Sequence, residues 1–158
     1  MQEAVVLSKI KKLNEFQIER SFPNLKHKEN FEYTSNQTDD YNCVAWANEK
    51  DDDFITIPYY NSNDCFNDML EGYINYFISF GFERTEYFEK DNKYTIIALY
   101  TKDENQFMHV ARLLENGKWT SKIGNWEDIE HTTLNSLSGG AYGEPTVFMR
   151  KLKTISSS

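Results

Sequence analysis

The chain has 158 residues, and its 25 Asp and Glu against 17 Lys and Arg leave a net charge of −8 at neutral pH. That balance argues against a nucleic-acid partner, which needs clustered cations; the two basic knots, Lys9-Ile10-Lys11-Lys12 and Arg150-Lys151-Leu152-Lys153, lie at opposite ends of an acidic sequence. The longest strictly apolar run, Ile96-Ile97-Ala98-Leu99-Tyr100, falls far short of the roughly 20 residues of a membrane helix, and Met1-Gln2-Glu3 does not open a signal peptide, so the expected location is cytoplasmic with no membrane partner.

An aromatic share of 15% supplies a core, and no linker-like stretch or repeat divides the sequence. A single domain is therefore expected over residues 1–158, with an N-terminal helix over about 2–20, a core over about 21–152 and a frayed tail over 153–158. In the first helix Val6, Ile10, Leu13 and Phe16 recur at helical spacing until Pro23-Asn24 stops them. Asn30 to Asp40 reads as a loop with at most a short strand. Asn63 to Phe80 carries Phe66, Met69, Leu70, Tyr73, Ile74, Phe77 and Ile78 on one stripe, with Gly81 as its stop, and is the clearest helix.

Strand patterns follow at Phe82 to Phe88, Tyr94 to Thr101, Phe107 to Leu114 and Trp119 to Ile123. Asn116-Gly117 between two of them predicts a two-residue hairpin turn, because both residues tolerate positive φ. Asp128 to Leu137 reads as a short helix or irregular turn, Gly139-Gly140-Ala141-Tyr142-Gly143 as a flexible turn at the rim of a site, and Thr146 to Leu152 as the last strand. The predicted class is α+β: an antiparallel sheet with a short Cys-bearing helix and one long helix packed on it.

In Asp39-Asp40-Tyr41-Asn42-Cys43-Val44-Ala45-Trp46-Ala47-Asn48, polar turn formers run into an apolar helix, so Cys43 falls at a helix N-terminus. Free N–H groups there favour a thiolate and sit close to any oxyanion formed by its attack. The alternative is a small thiol packed beside Trp46. His109 alternates with Phe107, Ala111 and Leu113 on a strand face that looks inward, where it would meet a thiol on a helix packed against the sheet. A two-residue turn would pair Glu115 with Lys118, set His109 opposite Gly124 and make Asn125 its nearest polar neighbour. Glu127 and Asp128 are carboxylates able to reach back, and His131 is a further candidate for proton transfer or substrate contact. Cys43, Cys65, His109 and His131 lack the short paired spacing of a zinc finger, so neither metal nor cofactor is expected.

Several motifs together resemble an uncharacterised bacterial family of small proteins. They are Tyr41-Asn42-Cys43-Val44-Ala45-Trp46-Ala47, His109-Val110-Ala111-Arg112, Trp119-Thr120-Ser121-Lys122-Ile123-Gly124 and Asp128-Ile129-Glu130-His131, with shorter matches from Phe22 to Tyr142-Gly143-Glu144. The order of Cys helix and His strand is similar to papain-like cysteine hydrolases, the cell-wall amidopeptidases and transglutaminase-like enzymes. That resemblance implies a papain-like fold with Cys43 as nucleophile, His109 as general base and Asn125 or Asp128 as orienter. It implies Asn42, Trp46, Ser121, Lys122 and His131 as substrate-binding residues, and as substrate a peptide, protein or small amide or ester attacked through a thioester. The rival expectation is a non-enzymatic acidic protein that binds a basic protein partner, such as a toxin-neutralising immunity protein, or an inactive papain-like scaffold.

Overall fold

The structure is a computed structural model that describes residues 18–35, 41–49, 69–86, 90–103, 105–123 and 127–153. The expected residues 2–17 of the first helix, the 63–68 start of the long helix, Cys65, Asn125 and the 154–158 tail lie outside the described residues.

Among the described residues, seven strands form one sheet in the order β1-β6-β5-β4-β3-β7-β2. They are β1 Phe31–Tyr33, β2 Glu83–Thr85, β3 Tyr94–Lys102, β4 Gln106–Leu113, β5 Trp119–Lys122, β6 Asp128–His131 and β7 Glu144–Leu152. Every pairing is antiparallel. Helix is limited, among the described residues, to residues 18–21, α1 Cys43–Ala47, α2 Leu70–Ser79 and a 3₁₀ turn at Leu134–Leu137. The expected papain-like α+β architecture is therefore corrected to a β-rich fold in which the sheet dominates. No helix among the described residues is long and apolar enough to cross a membrane.

The physical reason starts at β3, where every residue from Thr95 to Thr101 is buried. A strand apolar on both sides must be covered on both sides. One face carries Ile96, Ala98, Tyr100 and Ala111 beneath Phe22 and Leu137. The other carries Ile97, Leu99, Val110 and Met149 beneath Val44 of α1 and Phe77 of α2. On α2 the Tyr73, Ile74 and Phe77 stripe is buried, and the Tyr73 ring stacks on Phe107 at 3.9 Å. Burying each such side chain contributes on the order of 2 kcal/mol.

Two irregularities decide where the polar side chains go. Tyr100 pairs with His109 but Thr101 with Phe107, so Met108 is the extra residue of a β-bulge. The bulge sends Phe107 to the helix-covered face and leaves His109 with Ala111 on the other, correcting the expectation that His109 and Phe107 share a face. The Asn116-Gly117 hairpin has a three-residue loop: Leu114 N donates to Lys118 O, Gly117 N to Leu114 O, and Gly117 takes φ +87°. Leu113 thus faces Trp119, one residue away from the expected register. A further correction concerns Asp128 to Leu137, which is strand β6 followed by the 3₁₀ turn; pairing of β6 with both β1 and β5 outweighs a local pattern too short to show its period.

The Gly139–Gly143 segment is a tight junction and not a flexible rim. A Cβ on Gly140 would stand 2.1 Å from Ser21 O, and one on Gly143, at φ +73°, 2.2 Å from Thr101 O. Gly140→Ala is accordingly expected to destabilise the fold by about 1–3 kcal/mol, checked by urea denaturation.

Candidate functional site

Sheet alternation splits the polar side chains into two networks, one on each face. On the helix-covered face, Asn42 Oδ1 accepts from Ala45 N at 3.2 Å and starts α1, whose Val44, Ala45 and Ala47 are buried. This places Cys43, half-buried, in the first turn against the Val110 and Phe107 cluster. Trp46 Nε1 donates to Thr120 Oγ1 at 2.9 Å, its ring stacks on Tyr41 at 5.3 Å, and the Arg112 guanidinium lies 5.3 Å above it. Tyr41 Oη donates to Asp128 Oδ2, and Ser35 Oγ accepts from Asp128 N at 2.9 Å. Cross-strand from Asp128 stands Lys122, whose ammonium lies 5.3 Å over the Tyr41 ring.

Lys122 and Asp128 are buried to 0% and 2% exposure. Burial pushes the Asp128 carboxyl up from its usual range, opposed by the Tyr41 hydrogen bond and by the Lys122 charge. Its Oδ1 has no hydrogen-bond partner among the described residues.

On the opposite face, Ser121 Oγ lies 2.9 Å from His109 Nε2 and 2.8 Å from His131 Nε2, and His131 Nδ1 lies 2.9 Å from Thr133 O. All three side chains are at 0% exposure. Hydrogen positions follow from the carbonyl at the end of this chain, which only accepts. His131 must carry its proton on Nδ1, so its Nε2 accepts from the Ser121 hydroxyl. Ser121 Oγ in turn accepts from His109 Nε2–H, and His109 Nδ1 is left as a lone pair with no partner among the described residues. The His109 ring stacks on Tyr142 at 4.3 Å and 6° and approaches Tyr100 at 5.5 Å. Burial drives the His131 imidazole down to about 4 and, together with His131, holds His109 well below the ordinary imidazole value. Both rings are neutral at pH 7.

The structure therefore brings His109, Ser121 and His131 together, and separately gathers Trp46, Lys122 and Asp128 around α1. It does not bring Cys43 to His109: the sheet lies between them, and the imidazole hydrogen-bonds to Ser121. Asn42 serves as a helix cap, and Asn125 lies outside the described residues. Tyr41, Arg112, Thr133 and Tyr142 join these networks although the sequence offers none of them as a site residue. Tyr41, Arg112 and Tyr142 lie within the matching motifs, and Thr133 carries no signal. Among the described residues no group of three His, Cys, Asp or Glu could hold a metal.

Sheet and networks define a β-rich, all-antiparallel domain with neutral histidines on one face and a buried charge cluster on the other. The chain belongs to the family described as Domain of unknown function (DUF7689), whose model matches residues 32–150, from β1 into β7. No curated protein and no solved structure matches it.

Proposed function

We propose that the chain is a non-catalytic acidic binding protein acting in the cytoplasm on a basic protein partner, in the manner of an immunity protein. The observation that carries this is the separation of thiol and imidazole, since a general base must come within hydrogen-bond reach of its nucleophile. The charge distribution supports the choice of partner: residues 39–68 hold eight carboxylates, among them Asp51-Asp52-Asp53, against the single Lys50. Such a stretch attracts a cationic surface and speeds encounter with it.

The test is capture with the whole chain followed by reconstitution from two purified components. A strongly basic partner is expected, bound at least tenfold more weakly in high salt and weakened again by Asp51→Asn, Asp52→Asn and Asp53→Asn together. Turnover of an amide or ester that depends on Cys43 overturns the proposal.

A second reading, cysteine-dependent acyl transfer at Cys43 on a peptide, amide or ester, is favoured by one observation. Lys122 supplies a cation, Tyr41 a hydroxyl and Asp128 the carboxylate that accepts from it, all on the same face as Cys43. Iodoacetamide labelling followed by mass spectrometry separates the two. On the binding reading, the Cys43 rate at pH 7 stays within about twofold in folded His109→Ala and Lys122→Met variants; on the acyl-transfer reading, Lys122→Met slows it at least tenfold.

A further inference from the structure

We propose that the His109–Ser121–His131 chain is an acid-released latch, which holds β5, β6 and the 3₁₀ turn together at neutral pH and lets them part when it is protonated. The argument begins with the geometry. His131 sits on β6 between Phe31 of β1 and Trp119 of β5, and its Nδ1–H holds the carbonyl of Thr133, the residue that caps the 3₁₀ turn. Tyr100 Oη donates to Leu134 O at 2.6 Å and ties the same turn to β3. One continuous run of hydrogen bonds thus links β4, β5, β6 and the turn.

That run has room for no further proton. A proton arriving at His131 can only take Nε2, the atom that accepts from Ser121; two N–H donors then point at one hydroxyl, whose own hydrogen has lost its acceptor. A proton arriving at His109 can only take Nδ1, which has no partner among the described residues. The groups facing these rings are Ser121 from β5, Tyr100 from β3, Tyr142 from the glycine turn, and Phe31 and Trp119 beside His131. Glu130 favours the charged form of His131 and Glu144 acts on Tyr100, while Glu127, buried to 1% exposure, stands just before β6 and four residues from His131. The tyrosine faces attract a cation but accept no N–H in the ring plane.

The sign follows from linkage. Both imidazoles are lowered in the folded chain, so the unfolded chain binds more protons between about 4 and 6.5. The latch is complete above that window and is lost as pH falls through it. Asp128, raised by burial on the other face, acts in the opposite sense and cannot be the source of the loss.

Three measurements on the full chain and one variant test the proposal. Nitrogen NMR of the imidazole rings should find both neutral at pH 6, His131 as the Nδ1–H tautomer and His109 as the Nε2–H tautomer. The folding equilibrium constant from urea denaturation should fall roughly fiftyfold between pH 7 and pH 4.5 from His131 alone. Amide exchange, corrected for its intrinsic pH dependence, should rise first over residues 119–137. A His131→Gln variant that folds should lose the roughly fiftyfold part of this pH dependence that belongs to His131 and keep the part that belongs to His109. Either ring titrating near 6.5 in the folded protein, or the opposite tautomer at His131, overturns the latch, and the wild-type NMR decides this even if the variant does not fold.

Discussion

Ser121→Ala is expected to lower stability by about 2–5 kcal/mol, read as a fall in the urea midpoint at unchanged slope. A serine to alanine change usually costs little, and here the magnitude comes from what is left behind. The hydroxyl both receives a hydrogen from His109 Nε2 and gives one to His131 Nε2. Alanine removes both bonds and strands two ring nitrogens in a site with no exposure, each at about 1–3 kcal/mol. Thr132→Ala provides the contrast. Its hydroxyl donates to a carbonyl, Asn30 O at 3.2 Å, at an exposed position where water replaces the bond, and the expected cost stays within about 0.5 kcal/mol.

Lys122→Met is expected to cost about 3–5 kcal/mol at pH 7, since it leaves the buried Asp128 without the cation opposite it. The defect should ease as pH falls. Burial already favours the protonated Asp128, and loss of the Lys122 charge pushes its carboxyl further up, so a proton neutralises what lysine no longer balances. Combining Lys122→Met with Asp128→Asn, which keeps an oxygen for Tyr41 Oη, should recover a large part of the loss. Urea denaturation of both single variants and the double, at pH 7 and pH 5, measures the coupling directly. Equal losses at the two pH values would show that Lys122 acts through packing and not through its charge.

How much was readable in the sequence follows from what alternation can and cannot encode. The apolar run at Ile96–Tyr100 and the Asn-Gly turn mark β3, β4 and β5, because strand burial and turn chemistry are local. The dipeptide does not fix the loop length: Lys118 N donates to Asn116 Oδ1 at 2.9 Å, and the hairpin closes around three residues instead of two. Alternation also shows that His109 travels with Ala111. It cannot show which face α1 covers, because β3 is buried on both sides and each face needs a lid. A helix thiol followed by a strand histidine is therefore compatible with either side, and the structure puts them on opposite sides. The histidine–serine chain escaped the same reasoning for another cause. The local pattern reads His131 into a short helix or irregular turn, and only its pairing across from Trp119 sets it diagonally beside Ser121.

The strand order carries a consequence for how the chain is made. Between β3 and β2, which follow one another closely in sequence, stands β7, which begins at Glu144, well after β3 ends at Lys102; it pairs with β3 from Tyr94 to Thr101 and with β2 from Glu83 to Thr85. During synthesis β3 and β4 can meet early, but β2 has no neighbour and the flank of β3 stays open until β7 has emerged. The most apolar strand of the molecule is thus the one that waits. Folding should be slow and of high contact order, and the nascent chain most prone to association over that interval.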